Sequence, residues 1–161
     1  MKRLFLSICL ATTLIACSDN DEVYYPVTQQ LQQALYDLYP EAQDVEWGST
    51  VGYLVADFVL PATDLLYAEA WFTPSAVWQM TSRDVTYSSL PEAVTQAFEL
   101  SAYGAAAVED VVRIDRLDAM TIYTITVDRT RLPDISLFYT AEGVLIEADD
   151  LDQYEDDEIL V

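Results

Sequence analysis

The sequence contains no histidine, and this absence removes the commonest general base and the commonest metal ligand of proteins. Basic residues are also scarce, because seven Lys and Arg stand against 28 Asp and Glu, for a formal net charge of −21. A nucleic-acid partner is therefore not expected, since a phosphate backbone requires a basic footprint. The hydrophobic fraction of 52% over 161 residues can still build a core, which argues against a disordered acidic chain.

The first twenty residues have the pattern of an export signal. Lys2 and Arg3 precede an apolar run over residues 4–14, which is too short to span a bilayer but has the proportions of a secretory signal. Leu14-Ile15-Ala16-Cys17 follows and resembles the bacterial lipobox, which implies cleavage before Cys17 and a diacylglycerol on its sulfur. The alternative is an ordinary signal peptide with an incidental cysteine. The sequence thus predicts a lipoprotein signal peptide at 1–16 and a lipidated tether at 17–26.

This anchor implies a place in the bacterial cell envelope, with the membrane as a partner through the N-terminal lipid. Acidic residues follow Cys17 closely, and Ser18 stands where an aspartate is associated with inner-membrane retention. Both features favour an outer-membrane lipoprotein, facing either the periplasm or the cell surface.

Few catalytic groups would remain after such processing. Lys2 is the sole lysine, Cys9 would leave with the signal, and Cys17 would carry the lipid. A serine nucleophile would then lack a base, and a zinc site would lack its usual ligands. A pair of carboxylates could still hydrolyse a glycoside, but no pair is singled out. We therefore expect no enzymatic activity, no cofactor and no metal.

Two helices with similar sequence surroundings are predicted. The first covers residues 27–39, where apolar side chains form one helical stripe and Pro40 stops the helix. The second begins at Ser89-Leu90-Pro91-Glu92, where serine and glutamate have the spacing of a capping box, and Gly104 ends it.

Extended segments rich in Val, Ile, Thr and Tyr follow each helix. They cover residues 45–47, 53–60, 65–72 and 77–80, then 111–115, 121–128, 135–139 and 144–147. The segments 71–78 and 138–145 align at a constant offset of 67 residues, which indicates an internal repeat. The first copy has Pro74-Ser75-Ala76 where the second has Gly143, so the two hairpins are expected to differ. Segment 53–60 is apolar on both faces, which favours a central strand covered on both sides over an apolar contact site.

The pattern resembles the PepSY-like, or β-lactamase-inhibitor-like, domains of secreted bacterial lipoproteins. The resemblance is carried by the helix start at 89–94 and by the aromatic-rich meander that closes at 139–145. It implies an α+β fold in which a helix plus a four-stranded antiparallel meander occurs twice. The sheets would form one curved surface with the helices on one side. The predicted repeats are residues 27–88 and 89–148, with an acidic C-terminal tail at 149–161.

Strand alternation nominates a binding surface. Tyr67, Glu69 and Trp71 should lie on the same side of the sheet as Phe138, opposite the helices. Tyr and Trp are common hot-spot residues, and in the family that the chain resembles this face docks a partner protein. The alternative is that Trp71 and Phe138 fill a second small core.

The predicted function is therefore recognition of a protein or peptide partner, with possible inhibition of that partner, through an aromatic sheet face. Capture of a small ligand or carbohydrate by the same face is the alternative, and a carboxylate glycosidase is a third. Eight acids between Glu147 and Glu158 could in principle ligate Ca²⁺, but a solvated tail is the simpler interpretation.

Overall fold

The computed structural model describes residues 26–50, 52–61 and 66–150. The predicted signal peptide, Cys17, nearly all of the tether and the chain after Asp150 lie outside these residues. None of the described helices is long and apolar enough to cross a membrane. The elements are, in order, α1 (Gln29–Leu38), β1 (Gln43–Thr50), β2 (Tyr53–Leu60), β3 (Leu66–Phe72), β4 (Trp78–Asp84), a short 3-10 helix (Tyr87–Ser89), α2 (Glu92–Glu99), β5 (Val108–Arg116), β6 (Ile122–Arg129), β7 (Leu132–Thr140) and β8 (Leu145–Asp150).

The α+β class is confirmed. All eight strands form one antiparallel sheet, and their order in space is their order in the chain. Each predicted extended segment overlaps one strand, although Leu65 lies outside the described residues. β8 continues through Asp149 and Asp150, which pair with Ser136 and Ile135 of β7.

Helix α1 agrees closely with its prediction. The Thr28 hydroxyl accepts a hydrogen bond from the Leu31 amide at 3.2 Å and so satisfies one of the unpaired donors of the first turn. Leu31 and Leu35 are fully buried, and the helix ends before Pro40. The sequence pattern therefore located this helix to within two residues, but the capping role of Thr28 was not anticipated.

The capping box predicted for the second helix is wrong. Ser89 lies in the 3-10 helix, and its hydroxyl donates to the Thr86 carbonyl at 2.7 Å instead of capping α2. Leu90 is extended and Pro91 occupies the N-cap position without a side-chain cap. Helix α2 also ends at Glu99, before Gly104, because the chain makes further turns between them.

The two faces of the sheet differ. Along β3, buried Ala68, Ala70 and Phe72 alternate with Tyr67, Glu69 and Trp71. The buried set packs in a cluster with Leu31 and Leu35 of α1. A second cluster joins α2 to β5–β7: Leu90, Val94, Phe98, Val111, Tyr123, Ile125, Val127, Ile135, Leu137, Tyr139. The strand registers place both clusters on one side, which we call the covered face, and we call the other side the open face.

Burial of β2 on both faces, as the sequence favoured, is wrong. β2 is the second strand of the sheet and buries only Leu54, Ala56 and Phe58, which face α1. Tyr53 and Asp57 are exposed on the open face. The apolar character of this strand thus places aromatic and aliphatic groups on a surface.

The two hairpins that were expected to differ close in the same way. The Thr73 amide donates to the Val77 carbonyl and the Ala76 amide to the Thr73 carbonyl, both at 2.9 Å. The corresponding bonds after β7, 67 residues later, join Thr140, Val144 and Gly143 at the same distances. Ala76 adopts a φ of 62° and Gly143 a φ of 79°, so an alanine takes the left-handed position that glycine fills in the second turn.

Candidate functional site

The predicted residues of β3 lie on the open face. Tyr67 is 66% exposed, Glu69 is exposed and Trp71 is half-buried, whereas their neighbours along the strand face α1. This placement follows from the two-residue period of a strand whose Ala68, Ala70 and Phe72 are needed in the core.

Phe138 shares the open face but not the neighbourhood of Trp71. It is half-buried on β7 and pairs with Thr124 of β6, which in turn pairs with Val112 of β5. β3 and β7 are four strands apart in the sheet. At about 4.8 Å for each strand, the two aromatic side chains are separated by about 19 Å. The four predicted residues therefore share one face of the sheet but occupy two separate areas of it.

Trp71 is the centre of the more apolar area. The rings of Tyr53 and Trp71 have centroids 6.0 Å apart, and Met80 is the direct cross-strand neighbour of Trp71. A cavity of about 460 Å³, which we call the Trp71 cavity, is lined by these three residues together with Gln79, Arg116, Leu117, Asp118 and Ala119. The volume is within the range of small-molecule and side-chain pockets.

The Trp71 indole N–H is a hydrogen-bond donor that lacks an acceptor within the described part of the chain. The indole Nε1 of Trp71 is buried and has no hydrogen-bond partner among the described residues. Buried indole N–H groups normally find an acceptor, because leaving one unsatisfied costs about 1–3 kcal/mol. Arg116 brings a cation to the same cavity, and its Nη2 makes only a 3.5 Å contact to the Met120 carbonyl. The arrangement can receive an apolar group that also carries an acceptor.

Carboxylates occupy the neighbouring part of the open face. Glu46, Asp57 and Glu69 are paired in register across β1, β2 and β3. Asp57 and Glu69 also line a notch of about 160 Å³ with Tyr67 and Asp84. Partial burial raises the pKa of Asp84, as does the charge of Asp110, while a hydrogen bond to the Tyr67 backbone opposes the shift. These carboxylates make this part of the open face acidic.

The area around Phe138 consists mainly of small hydroxyl side chains. Its neighbours Thr124 and Ser136 are buried, and the hydroxyls of Thr126 and Ser136 lie 2.9 Å apart. Thr124 Oγ1 has no hydrogen-bond partner among the described residues. Phe138 therefore projects from a floor of small polar side chains, with Glu147 beside it on β8.

The sequence analysis did not identify the residues that surround Trp71, because strand register brings them together. Tyr53, Met80 and Arg116 belong to three different strands and meet Trp71 only through the pairing of β2–β3, β3–β4 and β4–β5. Tyr53 had a detectable signal, because it shares strand parity with Val55, the neighbour of Trp71. Arg116 had none, since its position depends on the long connection through α2.

The described residues contain no group of three or more Cys, Asp or Glu side chains that could hold a metal ion. The site is therefore described by its aromatic, aliphatic and charged side chains alone.

The fold is of the α+β class: one eight-stranded antiparallel sheet has two helices on one face, and aromatic side chains lie on the other. A model of the PepSY-like family, provisionally described as beta-lactamase-inhibitor-like, matches residues 55–147, and the chain belongs to this family. The resemblance predicted from the sequence is thus confirmed.

Solved structures of Bacteroides proteins are similar over most of their length. A BLIP-like protein from Bacteroides fragilis is 32% identical, with a TM-score of 0.70, over 87% of this chain and 97% of that chain. A protein from Bacteroides eggerthii, named provisionally as periplasmic, is 27% identical, with a TM-score of 0.72, over 83% of this chain and 94% of that chain. A DUF2874 family protein from Bacteroides uniformis is 28% identical, with a TM-score of 0.70, over 78% and 90%. No curated protein matches the chain.

Proposed function

We propose that the protein is a noncatalytic binding protein of the cell envelope that recognises a protein or peptide partner through the open face, with Trp71 at the centre of the contact. The observation that carries the proposal is the Trp71 cavity, where an unpaired indole N–H lies beside exposed apolar side chains. The BLIP-like and beta-lactamase-inhibitor-like names of the relatives support a protein-binding role. Tyr67 and Glu69 line the neighbouring notch on the same strand, and Phe138 would provide a second, separate contact.

The partner surface should combine an apolar side chain with basic groups. The apolar group would enter the Trp71 cavity and present an acceptor to the indole N–H, which ends the cost of leaving that donor unpaired. Basic groups would face Asp57, Glu69 and Asp84. Electrostatic attraction to this face would mainly raise the association rate, and salt would weaken it.

Attachment to the envelope belongs to the same proposal. Cleavage before Cys17 and lipidation of its sulfur would hold the domain at the outer membrane by the tether at 17–26. The provisional periplasmic name of the Bacteroides eggerthii relative supports an envelope location. We also propose that residues 27–88 and 89–148 are copies of one helix-and-meander unit, supported by the matching turns at Ala76 and Gly143.

Capture of a small ligand or carbohydrate is the second candidate function. The Trp71 cavity favours it, because about 460 Å³ bordered by two aromatic rings can hold a compact ligand. This function would need the cavity alone, whereas protein docking would also use the acids and Phe138.

The test is an affinity capture from the native envelope with the full tagged chain. Trp71→Ala should lose the partner at least tenfold, and Tyr67→Ala should weaken its recovery. Tyr36→Ala is the matched control, because Tyr36 is 43% exposed on α1, on the other side of the sheet. Equal recovery of every partner by wild type and Trp71→Ala would refute the proposed face.

A further inference from the structure

A polar strip separates the two core clusters on the covered face. Thr81 and Arg83 of β4 pair with Asp115 and Arg113 of β5 in the strip, and the Thr121 hydroxyl donates to Asp115 from the loop before β6. We call these five residues the seam. The seam lies at the junction of the two halves, where neither helix supplies a buried apolar side chain.

The seam places two like charges side by side. Arg83 and Arg113 are direct cross-strand partners, and like charges in this position repel. They are two of only five arginines that follow Arg3 in a chain of net charge −21. A single carboxylate, Asp115, lies between them.

Asp115 accepts hydrogen bonds from Arg113 but not from Arg83. Its Oδ1 accepts from Nε and Nη2 of Arg113 at 3.0 and 2.9 Å and from the Thr121 hydroxyl at 2.9 Å. Arg83 Nη2 is 3.9 Å from Oδ2, which is an ion pair without hydrogen-bond geometry. The Arg83 Nε atom is buried and has no hydrogen-bond partner among the described residues.

The seam is accessible, and its two arginines and one aspartate give it a formal net charge of +1. The side chains of Arg83 and Arg113 are 30% and 35% exposed, so an anion from solvent can reach them. The hydrogen bonding that Arg113 donates to Asp115 raises the pKa of Arg113 against the effect of burial, and the phenols of Tyr123 and Tyr39 act in the same direction as Asp115. The shared carboxylate offsets only one of the two guanidinium charges.

We propose that the seam binds a carboxylate monoanion between Arg83 and Arg113, on the face opposite the proposed docking surface. A carboxylate can accept two parallel N–H hydrogen bonds from one guanidinium, which would give Arg83 the acceptor that Asp115 does not supply and would relieve its repulsion with Arg113. A dianion such as phosphate is disfavoured, because Arg83 also borders the notch that holds Asp57, Glu69 and Asp84. The ligand is a free small carboxylate or the terminal carboxylate of a peptide.

The test follows the Arg Nε–H resonances of the full chain by two-dimensional NMR during titration with sodium acetate, with sodium chloride at equal ionic strength as reference. Acetate should shift the Arg83 Nε–H resonance saturably beyond the chloride effect. Arg83→Gln should raise the half-saturating concentration of acetate, read from the Arg113 resonance, at least tenfold. Arg131→Gln is the control, because Arg131 is exposed in the turn between β6 and β7, and this variant should bind as wild type does.

Further arms keep the test decisive. Arg83→Lys retains the charge but cannot donate two parallel hydrogen bonds to one carboxylate. It should therefore bind acetate more weakly than wild type, and this variant keeps the test available even if Arg83→Gln does not fold. The ligand is the C-terminus of a peptide if acetyl-Ala-Ala with a free C-terminus binds at least tenfold more tightly than acetate and its C-terminal amide does not bind. The ligand is a small carboxylate if acetyl-Ala-Ala and acetate bind equally well. Chloride matching acetate, phosphate binding more tightly than acetate, or wild-type binding by Arg83→Lys would each overturn the proposal.

Discussion

Gly143→Ala and Ala76→Gly should have very different effects on stability, although they alter equivalent turns. At Gly143, a Cβ would lie 2.3 Å from the carbonyl oxygen and 2.8 Å from the carbonyl carbon of Ala93, which belong to the backbone of α2. The φ of 79° adds left-handed strain. That strain costs about 1–2 kcal/mol. Displacing α2 adds about 1–3 kcal/mol, as overpacking does, and the stiffer unfolded chain returns about 0.5 kcal/mol. The net loss for Gly143→Ala is about 1.5–4.5 kcal/mol.

Ala76 already has its Cβ in the equivalent position. Beside it, an open cavity of about 700 Å³ lies along α1, so the first helix leaves space that α2 does not leave at Gly143. Glycine at position 76 would relieve about 1–2 kcal/mol of left-handed strain and lose about 0.5 kcal/mol through the freer unfolded chain. The expected change is therefore a gain in stability of about 0.5–1.5 kcal/mol.

Urea unfolding at neutral pH, followed by tryptophan fluorescence, measures both changes. With an m-value of about 2 kcal/mol per molar urea, Gly143→Ala should lower the midpoint by about 1–2 M and Ala76→Gly should raise it by less than about 1 M. Equal destabilisation by the two substitutions would refute the argument, because it would show that the approach of α2 does not determine which turn needs glycine.

Two further predictions concern a cap and a titrating group. Thr28→Ala should cost about 1 kcal/mol in urea unfolding because it removes the cap of α1, whereas Ser89→Ala should cost less than half as much; the reverse order would contradict the assigned caps. The folded-state pKa of Asp84 is raised, so its proton stabilises the fold below the unfolded-state pKa of about 3.9, and that contribution disappears as pH rises through the folded-state pKa. Asp84→Asn should therefore be more stable than wild type at pH 7, and the difference should vanish near pH 3; a difference independent of pH would exclude titration of Asp84 as its cause.

Local patterns predicted the elements because each strand and helix buries one face. The alternation of Ala68, Ala70 and Phe72 with Trp71 is sufficient to place the latter away from the helices. The same logic failed for β2, since Val55 and Val59 are apolar on the open face and a strand with two apolar faces reads as central. Ser89 failed for a different reason: a capping box is a local option, and the hydroxyl found a carbonyl in a preceding turn instead.

The sequence predicts on which face of the sheet the candidate site residues lie, but it does not predict which of them are neighbours on that face. Parity assigns Trp71 and Phe138 to one side, while their separation depends on all four strand pairings between them. The Trp71 cavity likewise needs Arg116, which reaches it only because β4 and β5 pair across α2. The Arg83–Arg113 pair of the seam has the same origin. Such long-range contacts carry no signal in sequence spacing.

The most direct measurement of the central claim is site-specific photocrosslinking in the cell envelope that holds the protein. The full chain would carry p-benzoylphenylalanine in place of Tyr67 on the open face or, as the matched control, in place of Tyr36 on α1. The open-face position should give one dominant covalent adduct that is lost when Trp71→Ala is added, and the helix position should not give that adduct. The same adduct from the Tyr36 position alone would contradict the account, because the partner would then dock on the helices.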